Sequence, residues 1–318
     1  MTRLKGGTIS NIEIKNRTLS TKDALRGCGT ALVTPFTSSG AVDEKALRSL
    51  VDWQIDSGIH FLVPCGSTGE AATMTTDEHR RVVEITVEQA KGRVPIVAGA
   101  ASNDTAKAVE LSKIMKNVGA THLLHTSPMY NKPPQRGIVE HYRAITQAVD
   151  LPVVVYNVPG RTGSNIEAKT TLELSRMKGI CAVKEASGNL GQISDVIAGC
   201  DSSFSVLSGD DELTLPVMAL GGDGIVSVIS NALPKQMATL CELLAQNDAS
   251  SLDLARTLHF SLLPFMRGAF IESNPIPVKA ALAMMGKMEN RLRLPLVPML
   301  DSNNDTIRGA LRTAGALS

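Results

Sequence analysis

Apolar residues in this chain alternate between two patterns. Short continuous runs at 31–35, 61–64, 95–99, 122–126, 152–156, 180–185, 204–208 and 224–228 have strand length and are bounded mostly by Gly, Pro or Asn. The segments between them, such as 43–57, 76–91, 104–117 and 135–149, repeat apolar positions at helical spacing. Several of these open on Asp or Thr with Glu close behind and several close on Gly, which is the chemistry of helix caps. Strands that alternate with helices predict a parallel sheet, and the count of eight predicts its closure into an α/β fold, the (β/α)8 TIM barrel. An open doubly wound sheet is expected to carry a glycine-rich phosphate loop after its first strand. Here the first run leads into Thr34-Pro35-Phe36-Thr37, which is no such loop.

After about residue 245 the alternation stops, and 250–268, 277–286 and 304–317 read as helices with no strand between them. The expected division is therefore a barrel domain over 25–247 and a C-terminal helical appendage over 248–318. Residues 1–24 are polar and basic and lack the apolar core of a secretory signal. They read as a flexible N-terminal extension; an early start codon and a short targeting segment are the alternatives.

Composition narrows the function classes. The chain is 43% hydrophobic and 20% charged, which is ordinary globular material, and no segment approaches a membrane span. A formal net charge of +1, with both signs mixed along the chain, offers nothing to nucleic acid or an anionic membrane. The five cysteines are scattered without CxxC or His/Cys ligand spacing, so a reducing, cytoplasmic location is expected and no metal site is predicted. Cys65 reads as core packing, with a nucleophile as the alternative.

The residue that changes this picture is Lys184, in the middle of the run Ile180-Cys-Ala-Val-Lys-Glu185. Strand alternation puts Ala182, Lys184 and Ala186 on one face and Cys181, Val183 and Glu185 on the other, so the amine is flanked by small side chains. Burial disfavours the ammonium form, and a desolvated lysine is a nucleophile suited to Schiff-base formation with a carbonyl substrate. A lysine snorkelling to water or paired with an acid is the plainer reading.

The other unusual residues fall at the expected carboxyl ends of strands, where a barrel builds its active site. The second run is followed by Gly66-Ser-Thr-Gly-Glu70, the fourth by Met129, Tyr130 and Asn131, the fifth by Tyr156 and then Arg161, and the seventh by Ser208-Gly-Asp-Asp211. Tyr142, in a helical stretch, is read as packing. Each residue alone has a bland explanation as rim, turn or surface. Together, a lysine, two phenols, two hydroxyls and an arginine at one end of a barrel equip it for carbonyl chemistry on an anionic substrate.

Gly66 to Glu70, Tyr156-Asn-Val-Pro-Gly-Arg-Thr-Gly163, Val183-Lys-Glu-Ala-Ser-Gly-Asn189, Leu207-Ser-Gly-Asp-Asp211 and Asn274-Pro-Ile-Pro-Val-Lys279 resemble the dihydrodipicolinate synthase family, from about Gly27 to the C-terminus. The first three motifs are shared with the wider pyruvate-dependent lyases, which include N-acetylneuraminate lyase. The resemblance implies condensation of pyruvate with L-aspartate 4-semialdehyde, on the way to diaminopimelate and lysine, through an imine on Lys184 and with no metal or organic cofactor. It implies Tyr156 as general acid and base, in a relay with Ser67 and with Tyr130 reaching in from a neighbouring subunit. That makes a dimer the minimal unit and a homotetramer, two dimers together, the expected assembly. Ser67 departs from the threonine usual in the family and keeps its hydroxyl. Thr68 would hold the pyruvate carboxylate and Arg161 that of the semialdehyde, while Gly209 and Val226 would supply carbonyls beside the lysine.

The resemblance also implies a lysine-effector site lined by Ala71, His79, Asn103, Lys107 and Met129. Lysine-sensitive members carry an acid at Lys107 and a tyrosine at Met129, so inhibition is expected to be weak or absent. A sister lyase acting on a sialic acid or a sugar-derived keto acid, and a non-catalytic barrel that binds a keto acid, are the alternative functions.

Overall fold

The structure, a computed structural model, describes residues 25–317. The extension expected over 1–24 lies outside the described residues. Eight parallel strands, β1 (Gly27–Ala31), β2 (Phe61–Val63), β3 (Val97–Gly99), β4 (His122–Thr126), β5 (Val153–Asn157), β6 (Ile180–Glu185), β7 (Ser205–Ser208) and β8 (Gly224–Ser227), follow one another around a single sheet. β1 pairs with both β2 and β8, and the Leu62–Ile96 bridge joins β2 to the segment entering β3, which closes the barrel.

Helices α1 (Glu44–Asp56), α2 (Thr76–Ala90), α3 (Thr105–Asn117), α4 (Gln135–Ala148), α5 (Pro159–Thr162), α6 (Ala168–Ser175), α7 (Leu190–Gly199), α8 (Thr214–Ala219) and α9 (Pro234–Ala245) fill the connections. Their starts obey local chemistry. Asp43 and Asp104 cap α1 and α3 with their carboxylates, and Thr75 with Glu78 forms a reciprocal capping box on α2. Side chains alternate as strands require. Ala31, Val63, Val154, Ala182 and Leu207 fill the barrel, whereas Leu62, Val155, Val183 and Val206 pack with apolar residues of the surrounding helices.

Two expectations about the strands are corrected. The first strand is Gly27–Ala31 and not 31–35. Its apolar signal is weak because Gly29 faces Phe61: a Cβ there would stand 2.0 Å from the phenyl ring. Past Leu32 the chain leaves the ladder, with Val33 N–H donating to Asn231 Oδ1 at 3.0 Å. In β6 the register against β5 shifts between Val153 and Val154, so Cys181 joins Ala182 among the interior residues instead of lying with Val183.

Helices α10 (Ala249–Gly268), α11 (Ile276–Met284) and α12 (Asn304–Thr313) follow the barrel, and α10 packs on both α9 and α12. The last helix ends at Thr313, short of the expected 317. Val278 and Leu282 of α11 pack against Val33 and Val228, which leave the carboxyl ends of β1 and β8. The C-terminal helices therefore reach the end of the barrel where the unusual residues gather. Among the described residues no helix is long and apolar enough to cross a membrane.

Candidate active site

Lys184 lies opposite Tyr156 in the β5–β6 ladder and opposite Leu207 in the β6–β7 ladder. Its side chain runs up the inside of the barrel and is only 5% exposed. Gly209 makes room for it: a Cβ at that position would sit 2.7 Å from Ala186 Cβ and 3.1 Å from Lys184 Cε. Lys184 Nζ stops 4.2 Å from the centre of the Tyr156 ring.

Desolvation dominates the electrostatics. Burial pulls the Lys184 pKa down to about 7; the Asp211 carboxylate opposes this and the Arg161 guanidinium adds to it. Burial also pushes the Tyr156 phenol up to about 12, with Arg161 pulling the other way. Near neutral pH the site therefore holds an amine with a large free-base fraction beside a protonated phenol. Asp211 is buried and accepts from Ser227 Oγ at 2.5 Å, Val228 N at 3.0 Å and Ile229 N at 3.3 Å; burial raises its pKa to about 6.

Behind the lysine, the buried Glu185 carboxylate accepts from Asn157 Nδ2, Gln192 Nε2 and Ser187 N–H. Asn157 also receives Ile166 N–H on its Oδ1 at 2.9 Å. This network ties the ends of β5 and β6 to α7 and holds Tyr156 and Lys184 side by side.

A cavity of about 300 Å³ opens above the amine, and Lys184, Tyr156, Ser67, Thr68, Arg161 and Gly209 all line it. Two of the expected residues do not. Val226 is packed in the barrel interior, and Val228, just past the end of β8, lines the cavity instead. Tyr130 is 90% exposed. Its backbone is left-handed, φ 72°, and is held by a hydrogen bond from its own N–H to Thr162 O at 3.2 Å. On either side, Asn103 Nδ2 donates to Met129 O at 3.2 Å and Asn131 Nδ2 to Asn103 O at 3.0 Å. A left-handed tyrosine costs about 1–2 kcal/mol, so these bonds hold the ring out to solvent against a backbone penalty.

A second cavity of about 1010 Å³ adjoins the first and shares Ser67 and Arg161 with it. Ala71, His79, Asn103, Lys107 and Met129 all line this larger space, together with Glu110 one turn beyond Lys107. His79 is buried, with Nε2 2.8 Å from Gly99 O, and desolvation lowers its pKa. Cys65 is a buried thiol whose pKa burial pushes up, which makes it packing and not a nucleophile. Tyr142 is likewise core, its hydroxyl donating to His125 O at 2.6 Å.

Asn274 emerges only from the structure. It precedes α11, lines both cavities, donates from Nδ2 to Thr68 Oγ1 at 2.8 Å, and accepts Arg161 Nη2 on its backbone carbonyl at 3.2 Å. It begins the segment Asn274-Pro-Ile-Pro-Val-Lys279, but no spacing rule joins it to a threonine 206 positions away.

The sequence model of the dihydrodipicolinate synthetase family matches residues 24–314. A 4-hydroxy-tetrahydrodipicolinate synthase of Koribacter versatilis is 54% identical over 294 residues, covering 92% of this chain and 97% of that one. Among solved structures, a dihydrodipicolinate synthase from Thermotoga maritima superposes with a TM-score of 0.90 at 41% identity, over 92% of this chain and 99% of that one. A chloride-inhibited dihydrodipicolinate synthase from Acinetobacter baumannii, complexed with pyruvate, gives 0.90 at 39% identity over 92% and 100%.

Proposed function

The chain belongs to the dihydrodipicolinate synthetase family, and we propose that it condenses pyruvate with L-aspartate 4-semialdehyde to 4-hydroxy-tetrahydrodipicolinate, as a lyase of diaminopimelate and lysine biosynthesis. The observation that carries this reading is the pairing of Lys184, with a pKa near 7, against the protonated Tyr156 at the floor of the cavity.

Lys184 Nζ attacks the keto carbon of pyruvate, and water leaves as the imine forms. The cationic imine draws electrons from the methyl carbon, which gives up a proton and becomes the enamine carbon. That carbon attacks the aldehyde, and the new alkoxide takes a proton. The substrate amine then adds to the imine carbon and expels Lys184 as the ring closes. Tyr156 is placed to pass protons at the imine and the alkoxide, with Ser67 at the cavity mouth as the next hydroxyl in the relay. The imine is itself the electron sink, so this route needs no metal or organic cofactor.

Thr68, buried and steadied by Asn274, is suited to the pyruvate carboxylate. Arg161 at the rim is suited to the carboxylate of the second substrate through its planar fork. Gly209 presents backbone beside the lysine. For Val226 the reading is weaker, since the residue lies below the cavity. The outward Tyr130, pinned without cover from its own subunit, supports a partner subunit into whose site it reaches, in a dimer or a tetramer of two dimers. The reading places the enzyme in the cytoplasm, where thiols stay reduced.

Borohydride reduction with pyruvate, followed by peptide mass spectrometry, tests the reading. A stable adduct on Lys184 is expected, and well-folded protein without one would overturn it. Arg161→Ala separates this synthase from a sister lyase: semialdehyde KM should rise about 100-fold, far more than pyruvate adduct formation is affected.

A further inference from the structure

We propose that the buried ion pair between Glu70 and Lys279 is a positioning device, by which the C-terminal helical unit sets the geometry of the Ser67–Thr68 loop and of Arg161. The proposal rests on the reading above, in which that loop holds the pyruvate carboxylate.

Glu70 closes the loop that carries Ser67 and Thr68. Its backbone is left-handed at φ 56°, and its N–H donates to Ser67 O at 3.1 Å. Both carboxylate oxygens are committed to the C-terminal unit: Oε1 accepts from Lys279 Nζ at 2.5 Å and Oε2 from Arg293 N–H at 3.0 Å. Both side chains of the Glu70–Lys279 pair are fully buried. Lys279 Nζ also donates to Thr34 O at 2.9 Å, while Thr34 Oγ1 donates to Gly69 O at 2.7 Å, so the loops after β1 and β2 are fastened to the same ammonium. Phe36 completes the joint, with Lys279 Nζ and the Arg293 guanidinium each 4.4 Å from its ring centre.

The link to substrate runs through the lead-in to α11. Lys279 lies just over one helical turn beyond Asn274, so anchoring α11 places Asn274. Asn274 in turn donates to Thr68 Oγ1 and accepts from Arg161. One buried pair therefore orients the two groups assigned to the two substrate carboxylates. The pair thus joins the end of the loop that carries Ser67 and Thr68 to the helix that follows Asn274, the residue that bridges Thr68 and Arg161.

The test is the double variant Glu70→Gln/Lys279→Met, which removes both charges together, beside the single variant Glu70→Gln. Pyruvate half-saturation is read from borohydride trapping at Lys184 in protein confirmed folded by circular dichroism. We expect half-saturation to rise about tenfold in the double variant and about threefold in the single. Trapping at saturating pyruvate should still reach completion, because Lys184 itself is untouched. Half-saturation within twofold of the parent in a folded double variant would overturn the proposal, as would loss of fold in both variants, which would make the pair structural only. Failure of the parent protein to trap pyruvate is a different result, and it would refute the proposed chemistry and not the positioning role.

Discussion

Lys184 and Lys279 are both buried lysines on regular elements of one chain, and their surroundings lead them to opposite uses. Lys279 meets a carboxylate and a carbonyl, Glu70 Oε1 and Thr34 O, and its side chain is wholly enclosed. Lys184 has no carboxylate within ion-pairing distance among the described residues; its amine faces the Tyr156 ring and an open cavity. For both, burial pulls the pKa down, and for both a carboxylate opposes it, but Glu70 does so in contact and Asp211 only from a distance. Burial alone does not make a nucleophile. Burial without a partner, beside empty space, does.

The sharpest way to break the comparison is to remove the unpaired amine. Lys184→Met should abolish the pyruvate adduct and reduce condensation at least about 10⁴-fold. It should also stabilise the fold. The folded pKa of about 7 lies below the unfolded value near 10.4, so between these the unfolded chain binds more protons and stability rises with pH; below 7 the whole penalty is present. Replacing the amine should relieve up to about 4 kcal/mol at pH 7, read by denaturant titration, and an unchanged midpoint would show that the amine carries no such strain.

Lys279→Met should act in the opposite direction. Leaving Glu70 buried without its partner is expected to cost about 3–5 kcal/mol of stability, most of it recovered when Glu70→Gln is added. Equal stability of the single and double variants would remove the distinction drawn between the two lysines.

A smaller effect separates them by pH. The rate of adduct formation with pyruvate should rise about tenfold per unit below pH 7 and level off above it, following the free-base fraction of Lys184. A profile still climbing steeply at pH 9 would place the amine near its solution value.

The smallest expected effect concerns a third lysine. Lys107 is exposed and lines the larger cavity, where it would oppose the ammonium of a lysine effector with like charge. Free lysine should leave activity nearly unchanged in a purified assay; half-inhibition below about 1 mM would contradict this.

Much of this was legible along the chain. Strand runs and cap residues carried the barrel because both are local properties, set by backbone alternation and by side chains that satisfy the nearest helix-end amides. Lys184 was visible because a single charge in an apolar strand is itself a local anomaly. β1 was misplaced since its glycine, needed to admit Phe61, erased the apolar signal. The face of Cys181 was misread because the register shift arises between two strands and belongs to neither. Lys279, inside the apolar α11, called for an acid somewhere, but nothing in its neighbourhood said which.

The sequence by itself determined the repeated strand and helix units, their order, and the residue types available for imine chemistry. Only the tertiary structure decided that Glu70 and Lys279, 209 positions apart, share one buried contact, and that Asn274 joins Thr68 to Arg161. It also decided that Val228 and not Val226 lines the cavity above Lys184. The reason is that local pattern encodes which face of an element is apolar, whereas contacts between distant segments depend on how closed layers pack, and that is settled only when the whole barrel and its C-terminal helices come together.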